Sequence, residues 1–396
     1  MLPTDVVIVA GMRTPMARYT GSFSEVSAID LGAHAAKAAV QRSGVAAEEF
    51  DHVVFGNVLQ TSADAIYGAR HVGLKAGLKI ETPAVTVNRL CGSGIEAIVQ
   101  ASHRLLLGEA NMVLAGGMEN MTQAPFVIRG ARTGLKLGGG ALEDFLFVGL
   151  TDSYCGMPMA WTAEKLAEQA GISRKDADAY ALRSQQAADA AAKAGFFKDE
   201  ISPVEVKQGR KCILVSEDDH RRPETTMETL EKLPPAFKKD GMVTAGNASG
   251  IVDGAAAVVV TLGRAARERG LKPIGRIVSW AVAGVDPTIM GIGPVPASRK
   301  ALQQAGLTLG QIDRIEVNEA FAAQYLAVEK ELGLPREKTN VNGGAIALGH
   351  PLGASGTRLV ITLLNELRHK GFRYGLATAC IGGGQGIAMI VEALNS

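Results

Sequence analysis

The chain has 396 residues, 47% hydrophobic and 20% charged, more than one ordinary core can organise, which predicts two or three packed units. Lys plus Arg number 41 against 40 Asp plus Glu, so no global field draws the molecule to nucleic acid or an anionic membrane, and a phosphate-bearing ligand must be gripped locally. Four cysteines are too few for a disulfide scaffold and fit a reducing cytoplasm.

In chain order, MLPTDVVIVAGMRTP places an acid before a short apolar run, without the basic segment and cleavage pattern of a secretory leader. It reads as a first strand with no transit peptide ahead of it, so the expected compartment is the cytoplasm, or the mitochondrial matrix in a eukaryote. Further β-branched runs at 52–58, 83–88 and 110–117 alternate with helical periodicity at 29–44 and 95–108, the latter closing on Gly108. That rhythm predicts βαβ units with helices covering a sheet. Over about 121–249 the composition becomes more charged and richer in Met and Pro. Its clearest element is a helix capped by Ser173, with Asp176 three residues on, ending near Gly195. The rhythm resumes at GNASGIVDGAAAVVV (246–260), whose apolar run is far short of the ~20 residues of a membrane span.

A weak internal repeat links the halves. CGSG (91–94) opens a helix leading to the strand MVLAGG, and GASG (353–356) opens the helix TRLVITLLNELRHKG leading to GLATACIGGG, over nearly equal lengths. The expected division is a first half from 1–120 plus 250–270, an inserted segment 121–249, and a second half 271–396.

Three reactive residues lie in runs of Gly, Ala and Ser, where backbone approaches a ligand closely: Cys91 in VNRLCGSG, His350 in GGAIALGHPLGASG and Cys380 in ATACIGGGQG. Two thiols and an imidazole so placed point to carbon–acyl chemistry. Cys91 follows a strand and starts a helix, whose unpaired amides and dipole favour a thiolate nucleophile. Cys380 ends a strand, and the Gly382 amide beyond it can donate to a developing oxyanion together with that of Cys91. The competing readings are an inert buried cysteine, a hydrogen-bonded core histidine and a packed strand cysteine. Cys155 and Cys212 fall in no such frame, and the remaining histidines show no paired ligand spacing, so no metal site is indicated. GGGQG and GASG lack the strand and acidic residue of a dinucleotide fingerprint.

NRLCGSG, GNASG, NEAFA (318–322), NGGAIALGHPLGASG and CIGGGQG, in this order and over essentially the whole chain, resemble the thiolase family. The resemblance implies a five-layered αβαβα fold of two duplicated halves with a loop domain inserted in the first, assembled as a dimer or tetramer. It implies that Cys91 carries the acyl group as a thioester and that His350 activates Cys91. With Asn318, His350 would also hold an oxyanion through a water. Cys380 would exchange a proton with the α-carbon of acetyl-CoA or with a CoA thiol. Coenzyme A enters as substrate, with no resident cofactor, and Arg222, Thr225 and Ser249 match positions that contact it.

Thiolases dedicated to two acetyl-CoA units often carry a His before Met-Gly in the loop domain. Here Pro158 stands in that place and Met159 is kept, which together with HRRPETT (220–226) and LPPAFKKDG (233–241) looks more like the mitochondrial-type 3-ketoacyl-CoA thiolases. The resulting expectation is a short-to-medium acyl range that includes acetoacetyl-CoA. An enzyme restricted to acetoacetyl-CoA is the alternative. A β-ketoacyl synthase is the rival chemistry, but it needs no carbon-acid base such as Cys380. A non-catalytic acyl-CoA-binding protein would not need all three reactive residues, and a Cys–His–Asn hydrolase leaves Cys380 unexplained.

Overall fold

The alternation of short strands and helices forms, in a computed structural model that describes residues 1–394, two copies of one βα unit set side by side. The first comprises β1 (Val6–Arg13), α1 (Ala28–Ser43), β2 (His52–Gly56), α2 (Gly68–Lys75), β3 (Ala84–Val87), α3 (Ser93–Leu106) and β4 (Met112–Glu119). The chain then leaves the sheet, forms the helices α4 (Met159–Ala170) and α5 (Arg174–Lys193), and returns as β5 (Val252–Leu262). The second copy comprises β6 (Gly275–Gly284), α6 (Pro294–Ala305), β7 (Arg314–Val317), α7 (Ala322–Leu332), α8 (Leu352–Lys370), β8 (Tyr374–Ile381) and β9 (Gln385–Ala393).

The sheet runs β7-β8-β9-β6-β1-β5-β4-β2-β3, so its two halves mirror one another. In the first half β5 is antiparallel to both β1 and β4, while β4, β2 and β3 are parallel. In the second, β9 is antiparallel to both β6 and β8, and β8 is parallel to β7. The halves join through only two aligned pairs, Val7↔Arg276 and Ile8↔Gly275.

Helices complete five layers. α1 covers the outer face of β1, β4 and β5, α6 covers β6, β8 and β9, and α3 and α8 lie together between the two half-sheets. α1 follows its sequence signals. Ser27 caps it by accepting from the Asp30 amide, alanines 28, 33, 35, 36 and 39 are buried, and Gly44 ends it in the left-handed region at φ 71°. α8 differs because every residue from Leu352 to Leu367 is buried. A helix covered on all sides needs apolar residues all round, which is what LVITLL supplies. Its polar residues pair internally, as Arg358 does with Glu316 at 3.0 Å. α8 also begins earlier than GASG suggests. Pro351, which has no amide to leave unpaired, stands at the cap, and the helix starts at Leu352.

The two central helices touch through glycine. A Cβ on Gly94 would lie 2.4 Å from the Thr357 amide nitrogen, and one on Gly356 would lie 2.4 Å from that of Ile95. The Thr357 hydroxyl donates to the Gly94 carbonyl across this contact at 3.1 Å. Only glycine permits that approach, and it brings the N-terminal ends of both helices, and the motifs ahead of them, to one place.

The excursion between β4 and β5 packs over the second half, with α4 and α5 both against α7. α5 has the expected capping box, in which Ser173 accepts from the Asp176 amide and Asp176 accepts from that of Ser173. Buried Arg13 on β1 anchors the excursion by donating to Glu200 at 2.7 Å and to both oxygens of Asp218 at 2.7 and 2.9 Å. No described helix is long and apolar enough to cross a membrane.

Candidate active site

The five sequence motifs converge. GNASG runs beside NEAFA, with the Ser249 amide donating to Ala320 at 3.0 Å and the Ala322 amide to Asn247 at 2.8 Å. The Gly250 carbonyl accepts from the His350 amide at 2.9 Å, which ties the third motif to both. The Cys91 and Cys380 turns meet directly, since a Cβ on Gly92 would lie 2.6 Å from Ile381 Cδ1. The result is a cavity of about 300 Å³ lined mainly by apolar groups, with Cys91, His350, Ser249 and Met159 in its wall.

Cys91 is presented by a backbone held out of the ordinary. Leu90 sits at φ 46°, a region that costs a non-glycine residue about 1 kcal/mol or more and that persists where surrounding structure enforces it. The enforcement is visible. The Asn88 side chain accepts from the Leu90 amide at 2.9 Å, and the Ser93 hydroxyl accepts from the Arg89 amide at 2.8 Å. The amides of Gly382 and of Cys91 itself donate toward the sulfur. Burial nevertheless outweighs them and pushes the thiol up to about 11, with the charge of Glu119 adding to the rise. The two amides favour the anion, as expected of the helix end, and desolvation opposes them.

His350 is buried and its ring is oriented on both sides. The Ser355 hydroxyl donates to the Pro351 carbonyl at 2.9 Å, so toward Nδ1, 2.5 Å away, it can only accept. That places the ring proton on Nδ1 and leaves Nε2 as the basic nitrogen. Nε2 faces Asn318 Nδ2 at 3.3 Å, so the two residues paired by the resemblance are adjacent. Burial, then the nearby Arg358 cation, hold His350 down to about 3, so it stays a neutral imidazole through the physiological range.

Cys380 is fully buried and lies just behind the cavity wall, packed with Met290, Ala320, Met159 and Phe321, of which all four line the cavity. Burial, then the charge of Cys91, push its thiol far up. The second effect places the two sulfurs within electrostatic reach of each other. The glycines after Cys380 make a tight return, with Gly383 and Gly384 at φ 79° and 81°, and this turn carries the Gly382 amide to Cys91.

The structure separates the remaining candidates. Ser249 and Met159 are in the wall, whereas Arg222 and Thr225 are not among its residues. Arg222 is exposed on the excursion, its amide donating to Gln185, and the Thr225 hydroxyl donates to the Arg222 carbonyl. Their motif reaches the site through His220, whose ring sits where a Cβ on Gly250 would be, 2.1 Å from Nε2.

Family profiles match this chain along both halves, "Thiolase, N-terminal domain" over residues 6–263 and "Thiolase, C-terminal domain" over 271–393. The chain belongs to the thiolase family. It is 54% identical to human mitochondrial 3-ketoacyl-CoA thiolase over 98% of both chains. It is 48% identical to an acetyl-CoA acetyltransferase of Syntrophomonas wolfei over 98% of this chain and 99% of that one. Among solved structures, that of the human mitochondrial 3-ketoacyl-CoA thiolase in complex with CoA superposes with a TM-score of 0.97 at 54% identity, covering 100% of this chain and 99% of that one.

Two thiolase residues that sequence reasoning passed over organise the site. Glu119, at the end of β4, is fully buried and accepts from Asn57 Nδ2 and the Leu59 amide at 2.9 Å, the Val58 amide at 3.1 Å and the Gly353 amide at 2.8 Å. It so clamps the first turn of α8 to the first half. Burial raises it to about 7 despite these donors. The signal was an acid closing the apolar run MVLAGGME. Ser355, which fixes the His350 tautomer, lies within GASG, but its role depends on how the chain turns at Pro351.

A raised thiol and a depressed imidazole predict the pH dependence of Cys91 reactivity. Because the protonated thiol is favoured up to about pH 11, inactivation of the free enzyme by iodoacetamide should accelerate about tenfold per pH unit between 7 and 10. A rate that levels off at or below pH 8 would contradict the burial argument.

Proposed function

We propose that this protein catalyses CoA-dependent cleavage of 3-ketoacyl-CoA to acetyl-CoA and a shortened acyl-CoA, and the reverse Claisen condensation, through an acyl-enzyme on Cys91. The observation that carries the reading is the convergence of a nucleophilic thiol, a neutral oriented imidazole and a second buried thiol at one apolar cavity.

The geometry supports the following roles. Nε2 of His350 takes the Cys91 proton as the sulfur attacks C3 of the substrate, and the amides of Gly382 and Cys91 receive the oxyanion. Breaking the Cα–Cβ bond releases the enolate of acetyl-CoA. Its oxygen is held by the now protonated Nε2 and by Asn318, while Cys380 delivers a proton to the carbon. Incoming CoA gives its thiol proton to the Cys380 thiolate and attacks the thioester, and His350 returns its proton to Cys91. The dry wall keeps water from hydrolysing the intermediate. Coenzyme A serves as substrate rather than resident cofactor, with Ser249, Met159, Arg222 and Thr225 along its path. Apolar residues exposed between 126 and 142, including Phe126, Leu137 and Leu142, support a homo-oligomer, and the reaction suits fatty acid β-oxidation.

The test is steady-state thiolysis of acetoacetyl-CoA and longer 3-ketoacyl-CoAs with free CoA. Turnover of several lengths is expected. Strict four-carbon activity would restrict the enzyme to acetoacetyl-CoA, malonyl-dependent condensation would revive a synthase, and a stable acetyl adduct without turnover would leave only binding.

A further inference from the structure

Residues 234–240, PPAFKKD, form an exposed strap at the edge of the cavity. Phe237 is in the cavity wall yet 46% exposed, so it stands where the cavity opens to water. Charged side chains pin both ends of the strap. Before it, Arg174 donates to the carbonyls of Leu230 at 2.7 Å and Leu233 at 3.0 Å. After it, the Glu164 carboxylate accepts from the amides of Met242 at 2.9 Å and Val243 at 2.8 Å.

The middle is held more lightly. Pro234 and Pro235 have no amide to donate. The Ala236 and Gly241 amides bond within the same stretch of chain, to Val243 and Lys238 at 2.9 Å each, and Asp240 turns the backbone at φ 60°. Among the described residues, the one hydrogen bond from another element to residues 234–240 comes from Trp161, whose Nε1 donates to the Phe237 carbonyl at 2.9 Å. Trp161 and Glu164 are three residues apart on α4 and share a helix face. Met159, two residues before Trp161, is itself in the cavity wall, whereas Trp161 is not. An exposed segment with a single tie opens at low free energy, and loss of that tie frees Phe237 from the wall.

We infer that Trp161 is a positioning residue for coenzyme A, its indole N–H holding the strap so that Phe237 already completes the wall when the thiol arm enters. The inference rests on the thiolase reading, in which the arm uses this cavity, and gives Trp161 a part in binding rather than in the bond-making steps.

The experiment measures thiolysis of acetoacetyl-CoA at varied CoA in the native enzyme and in Trp161→Phe, which keeps an aromatic ring but has no N–H. KM for CoA should rise about two- to tenfold, the effect of one hydrogen bond, while kcat at saturating CoA stays within about twofold of native. Damage to the fold would lower kcat through the fraction of active enzyme and leave KM where it was. Tryptophan emission gives a second readout. The chain has two tryptophans, and Trp280 lies on β6 with its ring edge-on to His103. A saturable change in emission on adding CoA, present in the native enzyme and absent from Trp161→Phe, therefore belongs to Trp161 and is the expected result. An unchanged KM in an active Trp161→Phe enzyme, or native emission that ignores CoA during turnover, would overturn the role of the strap and leave the thiolase reading standing. A native protein whose Trp161 emission responds to CoA but which cleaves no 3-ketoacyl-CoA would overturn that reading instead.

Discussion

Cys91→Ala should lose thiolysis by about four to six orders of magnitude in kcat, because the acyl group then has no atom to reside on. The remaining groups would bind substrate without a covalent path. Incubation with acetyl-CoA followed by intact mass measurement should add one acetyl group to the native chain and none to the variant. Side-chain loss at this position removes little packing, since Cys91 lies in the cavity wall rather than in the deep core, so the variant should stay folded. An acetylated Cys91→Ala protein would move the nucleophile elsewhere and dismantle the site described above.

Cys380→Ser should separate the two halves of the reaction. The hydroxyl is a far weaker acid than the thiol it replaces, so it gives up its proton poorly and its anion is not populated to accept one, and general acid–base catalysis contributes about 10²–10⁴ in rate. Carbon–carbon cleavage and condensation should fall within that range, while acetylation of Cys91 by acetyl-CoA persists at a smaller loss, because there Cys380 only protonates a departing thiolate that is already a stable anion, whereas the carbon acid cannot react without it. Rapid-mixing acylation beside steady-state condensation distinguishes the two. Full condensation activity in Cys380→Ser would remove the proton shuttle from this thiol. The substitution also takes away a group whose environment is coupled electrostatically to Cys91, so alkylation of Cys91 in the variant reports that coupling separately.

Much of this was legible in the chain alone because the relevant signals are local. Alternating runs with glycine and serine punctuation set the strands and helices, and each reactive residue is embedded in small neighbours that announce close backbone approach. The capping box at Ser173 and Asp176 reads directly as a helix start. What escaped notice depends on residues far apart in sequence. Glu119 and Gly353 meet only because α8 crosses the end of β4. The cost of a thiolate at Cys91 could not be foreseen from a helix N-terminus, since it depends on how much protein surrounds the sulfur. Arg222 and Thr225, read from the motif HRRPETT, are not among the residues of the cavity wall, and the motif contributes His220 to its backing.

The glycine contact between α3 and α8 has a consequence for origin. A lone unit of this kind would expose the face bearing Gly94 or Gly356, together with the apolar side chains that now meet in the interior between the half-sheets. It would also own either the nucleophile or the base and acid, never all three. An ancestral monomer of half this length could thus have become both soluble and reactive only by docking onto its own twin, and fusion into one polypeptide then let each copy specialise.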